Sequence, residues 1–309
     1  MRAQGTAPRG PRLADLIGHT PLLPLRRIAP HLPPRVRLFA KLEGFNPGGS
    51  VKDRPALWML RAAERAGLTR DATLLDATSG NTGIAIAMLA AAEGYRATLC
   101  VPSNIAPERR RILKAYGADL VFTPASDGTD GAQKEAKSMA ASDPDKYWYL
   151  DQYNNPANWQ AHFESTGPEI WQQTVGSVTH FVAALGTTGT FVGTGRFLRK
   201  RNPRVRLIGV QPDGPFHGIE GVKHLATSTV PGIWAPDLAD EILSVTTEDA
   251  QSAVRRLARE EGLLAGTSSG AALDAAVRVA ERLRSGRVVA VFPDAGDRYL
   301  GERYWGEEE

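Results

Sequence analysis

One cysteine, Cys100, is the entire thiol content of this 309-residue chain. No intrachain disulfide is available. Within the apolar run Ala97 to Val101, Cys100 reads as a small hydrophobe, not a reactive thiol. No apolar stretch is long enough to cross a bilayer. The basic first residues lack the apolar centre of a secretory signal, so the cytoplasm is the expected compartment. A strong charge of one sign is also missing: 37 Lys and Arg stand against 34 Asp and Glu, a net charge of +3. That excess is too small for a nucleic-acid footprint. The densest basic run, Glu108-Arg109-Arg110-Arg111 with Lys114, reads as the solvated face of a helix. No GxGxxG or GxxxxGK[ST] pattern occurs, which removes support for dinucleotide and P-loop sites. His217, Glu220 and His224 are spaced too widely for the usual metal motifs, so no metal is expected.

What is present centres on Lys52, in Asn46-Pro47-Gly48-Gly49-Ser50-Val51-Lys52-Asp53-Arg54. A strand-like run, 36–42, precedes it, and an apolar-periodic helix, 56–66, follows. A cation in the first turn of a helix sits at the wrong end of the dipole. Two readings fit that placement. One is a neutral or covalently engaged amine, since lysine shifts its pKa readily on burial. The other is a surface lysine extending its stem over apolar neighbours. Two further segments share a strand, Gly/Thr turn, helix pattern. Thr78-Ser79-Gly80-Asn81-Thr82-Gly83 follows the strand at 73–77, and Gly186-Thr187-Thr188-Gly189-Thr190 follows the strand at 179–185. Each offers backbone N–H groups and hydroxyls at a helix N-terminus, which suits an anion. Each is also an ordinary capped turn.

Taken together, NPGGSVKDR, TSGNTG, GTTGT, GTSSG and PDAGDRYL resemble the cysteine synthases, pyridoxal-phosphate enzymes of the β-family or fold type II. The similarity runs from Ile17 to Leu300. GPEIWQQT at 167–174, and Thr188 where many relatives have glycine, look closest to the cysteine synthase B branch. The resemblance implies pyridoxal 5'-phosphate joined to Lys52. It implies a phosphate cradle of Gly186, Thr187, Thr188, Gly189 and Thr190. Asn81 would bond the cofactor's phenolic oxygen. Thr78, Ser79, Gly80, Thr82 and Gln152 would hold the substrate carboxylate. Ser268 would face the pyridine nitrogen, where a neutral hydroxyl leaves the ring unprotonated and favours β-replacement. Ser268 also reads as an N-cap of a helix beginning near Ala271, a role its neighbour Ser269 could take. Asp294 could sit near the ring, but reads more readily as a turn former.

Strands and helices alternate along the chain, which argues an α/β fold of mostly parallel, twisted sheets covered by helices. There is no fixed-period repeat and no low-complexity tract. The expected layout is a mobile tail at 1–11, a smaller α/β domain at 12–150 and a larger one at 151–309. An early segment crosses to the larger domain, as in tryptophan synthase β-like enzymes, and the cofactor lies between the two. The expected activity replaces the β-substituent of an activated serine, O-acetylserine, with a sulfur nucleophile, sulfide or thiosulfate. Cystathionine β-synthase, O-phosphoserine sulfhydrylase and a non-catalytic regulatory subunit are the alternatives. The expected partners are the amino-acid substrate, the sulfur donor and a second copy of the chain, with no nucleic acid and no membrane.

Overall fold

The computed structural model describes residues 10–78 and 80–306. Ser79 and the ends lie outside the described residues, so most of the expected tail and the role given to Ser79 go without structural description. Elements are numbered in chain order. After strands β1 (Leu22–Leu25) and β2 (Val36–Leu42) come helix α1 (Asp53–Arg65), β3 (Thr73–Ala77), α2 (Asn81–Glu93), β4 (Arg96–Pro102), α3 (Pro107–Ala115), β5 (Asp119–Thr123), α4 (Gly128–Ser142) and β6 (Tyr147–Tyr149). The second half holds α5 (Pro156–Ala161), α6 (Gly167–Gln173), β7 (His180–Ala184), α7 (Gly189–Arg201), β8 (Arg206–Pro212), β9 (Glu241–Val245), α8 (Thr247–Arg256), α9 (Thr267–Glu281) and β10 (Gly286–Phe292).

The strands form two sheets. A four-stranded sheet runs β5-β4-β3-β6 and is wholly parallel. A six-stranded sheet runs β1-β2-β10-β7-β8-β9 and is parallel except at β1. Pro24 sits in β1, at an edge, where a missing N–H does least harm. Strands β1 and β2 come early in the chain yet pair into the larger sheet.

Period-2 alternation explains how the larger sheet is covered. Val288 and Ala290 of β10 pack with α8 and α9 residues such as Ala253, Ala272 and Val279. Val289 and Val291 face the other way, onto Phe191, Val192 and Leu198 of α7. Helix α2 is apolar nearly all round and is buried accordingly, with Ile84, Ile86 and Leu89 each about 1% exposed.

The structure adds features that the sequence does not announce and moves one helix start. β1 and β9 lie outside the strands that the sequence analysis names. The helical stretch from Pro156 to Gln173 contains a π turn at His162–Thr166 between α5 and α6. It lies just before Pro168, which lacks the N–H a regular turn needs. Helix α9 starts at Thr267, not near Ala271, and its N-cap is Gly266 without a side-chain cap. A buried ionic cluster also ties β2, α1 and α6. Arg54 bonds Glu43 at 2.7 and 2.9 Å and Glu169 at 2.6 and 2.8 Å, while Lys41 Nζ donates to Glu169 at 2.6 Å.

Candidate active site

Lys52 ends a rigid turn. Gly49 takes a left-handed φ of +77°, and its N–H donates to the Asn46 carbonyl at 2.7 Å. The Gly48 N–H donates to the Asp53 carboxylate, and the Val51 N–H donates to the Pro293 carbonyl at 2.7 Å. Lys52 itself is the N-cap of α1, partly buried, on the wall of a cavity of about 240 Å³. Burial pushes its amine pKa down, against the pull of the Asp294 carboxylate. The surface-lysine reading is therefore set aside in favour of a desolvated amine facing a cavity.

The 186–190 turn forms one end of this cavity. Gly186, Thr187, Thr188 and Thr190 line it, and Gly189 opens α7 behind it. Thr188 holds a left-handed φ of +69°, unusual for a β-branched residue. A methyl on Gly186 would overlap the Gly221 carbonyl oxygen, and one on Gly189 would overlap Asn158 Oδ1. Asn158 is fixed in turn, donating to the Gln152 carbonyl at 2.6 Å and to Thr187 Oγ1 at 3.1 Å. Thr190 Oγ1 lies 3.3 Å from Nε2 of His162, a buried imidazole whose pKa burial lowers to about 3, so it stays neutral. Thr188 Oγ1 is buried and has no hydrogen-bond partner among the described residues. A hydroxyl without a partner beside a helix N-terminus is a place prepared for an anion.

From the 78–83 turn, Thr78, Gly80, Asn81 and Thr82 line the cavity, and the side chains of Thr78, Asn81 and Thr82 are already bonded. Thr78 Oγ1 accepts from the Gly80 and Gly83 N–H groups at 3.1 Å. Thr82 Oγ1 donates to Gln152 Oε1 at 2.7 Å, and Gln152 Nε2 donates to the Ala77 carbonyl at 2.8 Å. The Asn81 amide donates to Asp294 at 2.7 Å and accepts from Arg298. Ser268, buried in the first turn of α9, lines the cavity too. Ser269 does not cap: its hydroxyl is buried without a partner among the described residues.

Two residues read as bland in the sequence belong to this site. Asp294 is no simple turn former. It is buried, accepts from Asn81 and from the Tyr299 hydroxyl at 2.6 Å, and burial raises its pKa despite those bonds. Arg109 leaves the solvated face expected for its run. Arg110 and Arg111 are exposed, but Arg109 is buried in the cavity wall, stacked 5.4 Å over the Tyr299 ring and ion-paired with Glu220. No sequence signal separates Arg109 from its neighbours except its place on the inward side of an amphipathic helix. His217 lines the cavity, whereas His224 bonds Thr227 outside it. Among the described residues no group of three His, Cys, Asp or Glu side chains could hold a metal. Cys100 is buried, and burial raises its thiol pKa to about 12.

The residues fit pyridoxal phosphate. A desolvated lysine suits its aldehyde, the open Thr188 hydroxyl at a helix N-terminus suits its phosphate, and a neutral Ser268 suits its ring nitrogen. Comparison with known proteins agrees. The chain is 50% identical over 303 residues to a cysteine synthase of Aquifex aeolicus, covering 96% of this chain and 93% of that one. It is 46% identical over 297 residues to the cysteine synthase B of Escherichia coli, covering 96% of each. The crystal structure of a cysteine synthase from Entamoeba histolytica superposes with a TM-score of 0.92 at 33% identity, covering 100% of this chain and 95% of that one. Residues 13–294 match the model of the pyridoxal-phosphate dependent enzymes. The lysine turn, the two Gly/Thr loops and the sheets that aim them are thus those of a pyridoxal-phosphate dependent enzyme, the family to which this chain belongs.

Proposed function

We propose that the protein is a cysteine synthase. It exchanges the acetoxy group of O-acetylserine for a sulfur nucleophile, sulfide or thiosulfate, giving cysteine or S-sulfocysteine. The observation that carries this reading is the meeting, in one cavity, of a desolvated Lys52 amine with two Gly/Thr loops and a neutral Ser268. Bound pyridoxal phosphate supplies the electron sink that makes the substrate's α-proton removable. The protein supplies the rest. Gly186 to Thr190 hold the phosphate, and Asn81 and Ser268 hold the ring. Thr78, Ser79, Gly80, Thr82 and Gln152 take the substrate carboxylate and close out water, with Thr78, Thr82 and Gln152 exchanging present bonds for new ones. Lys52 Nζ takes the α-proton. The Cβ–O bond breaks, acetate leaves with the electron pair, a C–S bond forms at Cβ, and Lys52 returns the proton to the α-carbon.

The same reading divides the chain into units at 12–150 and 151–309 and makes it a cytoplasmic homodimer. Among the described residues no helix is long and apolar enough to cross a membrane. The test is to load the protein with pyridoxal phosphate, supply O-acetylserine with sulfide or thiosulfate, and assay for cysteine and S-sulfocysteine. Formation of neither overturns the reading.

A further inference from the structure

Two ion pairs span the mouth of the cavity, and they are crossed. Arg109, on α3 beside the four-stranded sheet, pairs with Glu220 in the segment that follows β8 of the six-stranded sheet. Lys223, in that same segment, pairs at 3.3 Å with Asp130 in the first turn of α4, which packs on the four-stranded sheet. Each side of the cleft thus gives one cation and one acid. Both cations line the cavity and are largely buried, with side chains 8% and 11% exposed. Both are also packed on rings, Arg109 over Tyr299 and Lys223 5.3 Å from the centre of Tyr153. Asp130 is held from its other side by the Thr229 hydroxyl at 2.6 Å, and a helix N-terminus favours its charge. The mouth therefore has the cations that a phosphate ester would need, each already matched by a carboxylate.

We propose that this crossed pair of ion pairs selects the leaving group, admitting the neutral acyl ester of serine and turning away the phosphate ester. The inference rests on the β-replacement reading above. A phosphate approaching Arg109 or Lys223 must displace a carboxylate that stays tethered beside it. The attraction of the cation is then offset by repulsion from its former partner. A neutral acetyl group meets no such opposition, and specificity achieved through a built-in repulsive element needs no contact of its own with the favoured substrate.

The test is the double variant Glu220→Gln with Asp130→Asn, which keeps size and one acceptor oxygen at each position but removes two negative charges. With the cofactor-loaded protein and sulfide, kcat/KM is measured for O-acetylserine and for O-phosphoserine. The parent should favour O-acetylserine. In the variant the ratio should move toward O-phosphoserine by about tenfold at low salt, and the gain should shrink as salt screens the charges. Inorganic phosphate should also become a tighter competitive inhibitor against O-acetylserine. A parent that already prefers O-phosphoserine overturns the inference. So does a variant that melts like the parent and leaves the ratio within about twofold. If the double variant melts early, Glu220→Gln alone carries the test, because the Glu220 side chain is 42% exposed and its loss spares the core. A parent inert toward both esters overturns the functional reading itself, and this inference with it.

Discussion

The two Gly/Thr loops look alike in sequence and differ in their hydrogen bonds. In the 186–190 loop the backbone is locked by close contacts and a left-handed Thr188, while the Thr188 hydroxyl has no partner among the described residues. In the 78–83 loop the described polar side chains are already bonded: Thr78 to its own turn, Thr82 to Gln152, Asn81 to Asp294 and Arg298. The first is a rigid socket with an open bond and suits a ligand that stays. The second must exchange bonds when its ligand arrives and leaves, which suits a substrate that turns over. On the proposed reading, hydrogen-bond satisfaction separates the phosphate socket from the Thr78 and Thr82 hydroxyls that would meet the substrate carboxylate.

Lys52→Ala separates chemistry from both loops and should have the largest effect. Turnover should fall by roughly 10³-fold or more, since covalent attachment and the α-proton acceptor are lost together. The socket should still hold pyridoxal phosphate without the bond. Dialysis that stripped the variant of all cofactor would show that the 186–190 loop is no socket.

Glu169→Gln provides a control that should not distinguish the loops. Burial opposes ionisation of Glu169, but Arg54 and Lys41 hold its pKa down from 4.5 to about 2. A lowered acid pKa adds stability above pH 4.5 and loses it as pH falls toward 2. The parent should therefore lose roughly 3 kcal/mol in that window, and the variant should be weaker at pH 7 with a flatter acid limb in thermal melts. A variant as stable as the parent at neutral pH would mean the cluster stabilises nothing.

Gly189→Ala attacks the socket alone. The added methyl overlaps Asn158, which is pinned by two bonds, so crowding of about 1–3 kcal/mol is expected. Cofactor affinity should drop accordingly while the affinity of the loaded enzyme for O-acetylserine holds. Thr82→Val attacks the other loop and should be the mildest. It leaves Gln152 Oε1 buried without its donor, at a cost of about 1–2 kcal/mol. The visible cofactor spectrum should survive and KM for O-acetylserine should rise. If the two variants exchanged phenotypes, the assignment of the loops would be reversed.

Much of this was legible in the sequence because it is local. Lys52 after a glycine turn, the paired strand-turn-helix segments and the buried runs of β3 and β10 follow from spacing and apolarity. What was not legible depends on distant partners. β9 is short, and its apolar Ile242 is exposed along with Ser244, so only its pairing with β8 declares it a strand. Arg109 differs from Arg110 locally only in sharing a helix face with Leu113, and its partner Glu220 comes from across the cleft. Asp294 reads as a turn former because its partners, Asn81 and Tyr299, are invisible to local pattern. Ser269 looks like a cap, but the helix begins before it.

The pairing of β2 with β10 also sets a timetable. Arg298 holds the Gly48 carbonyl across a separation of 250 residues, and the lysine turn leans on Pro293 through Val51. A ribosome adding about 5–20 residues per second needs roughly 10–50 s to make that stretch. For that interval β2 waits with an unpaired edge, and Lys52 belongs to no finished site. Contacts of such long range close late in folding. A nascent or truncated chain that ends before β10 therefore has no assembled pocket in which to capture cofactor, and the reactive amine is armed only when the protein is whole.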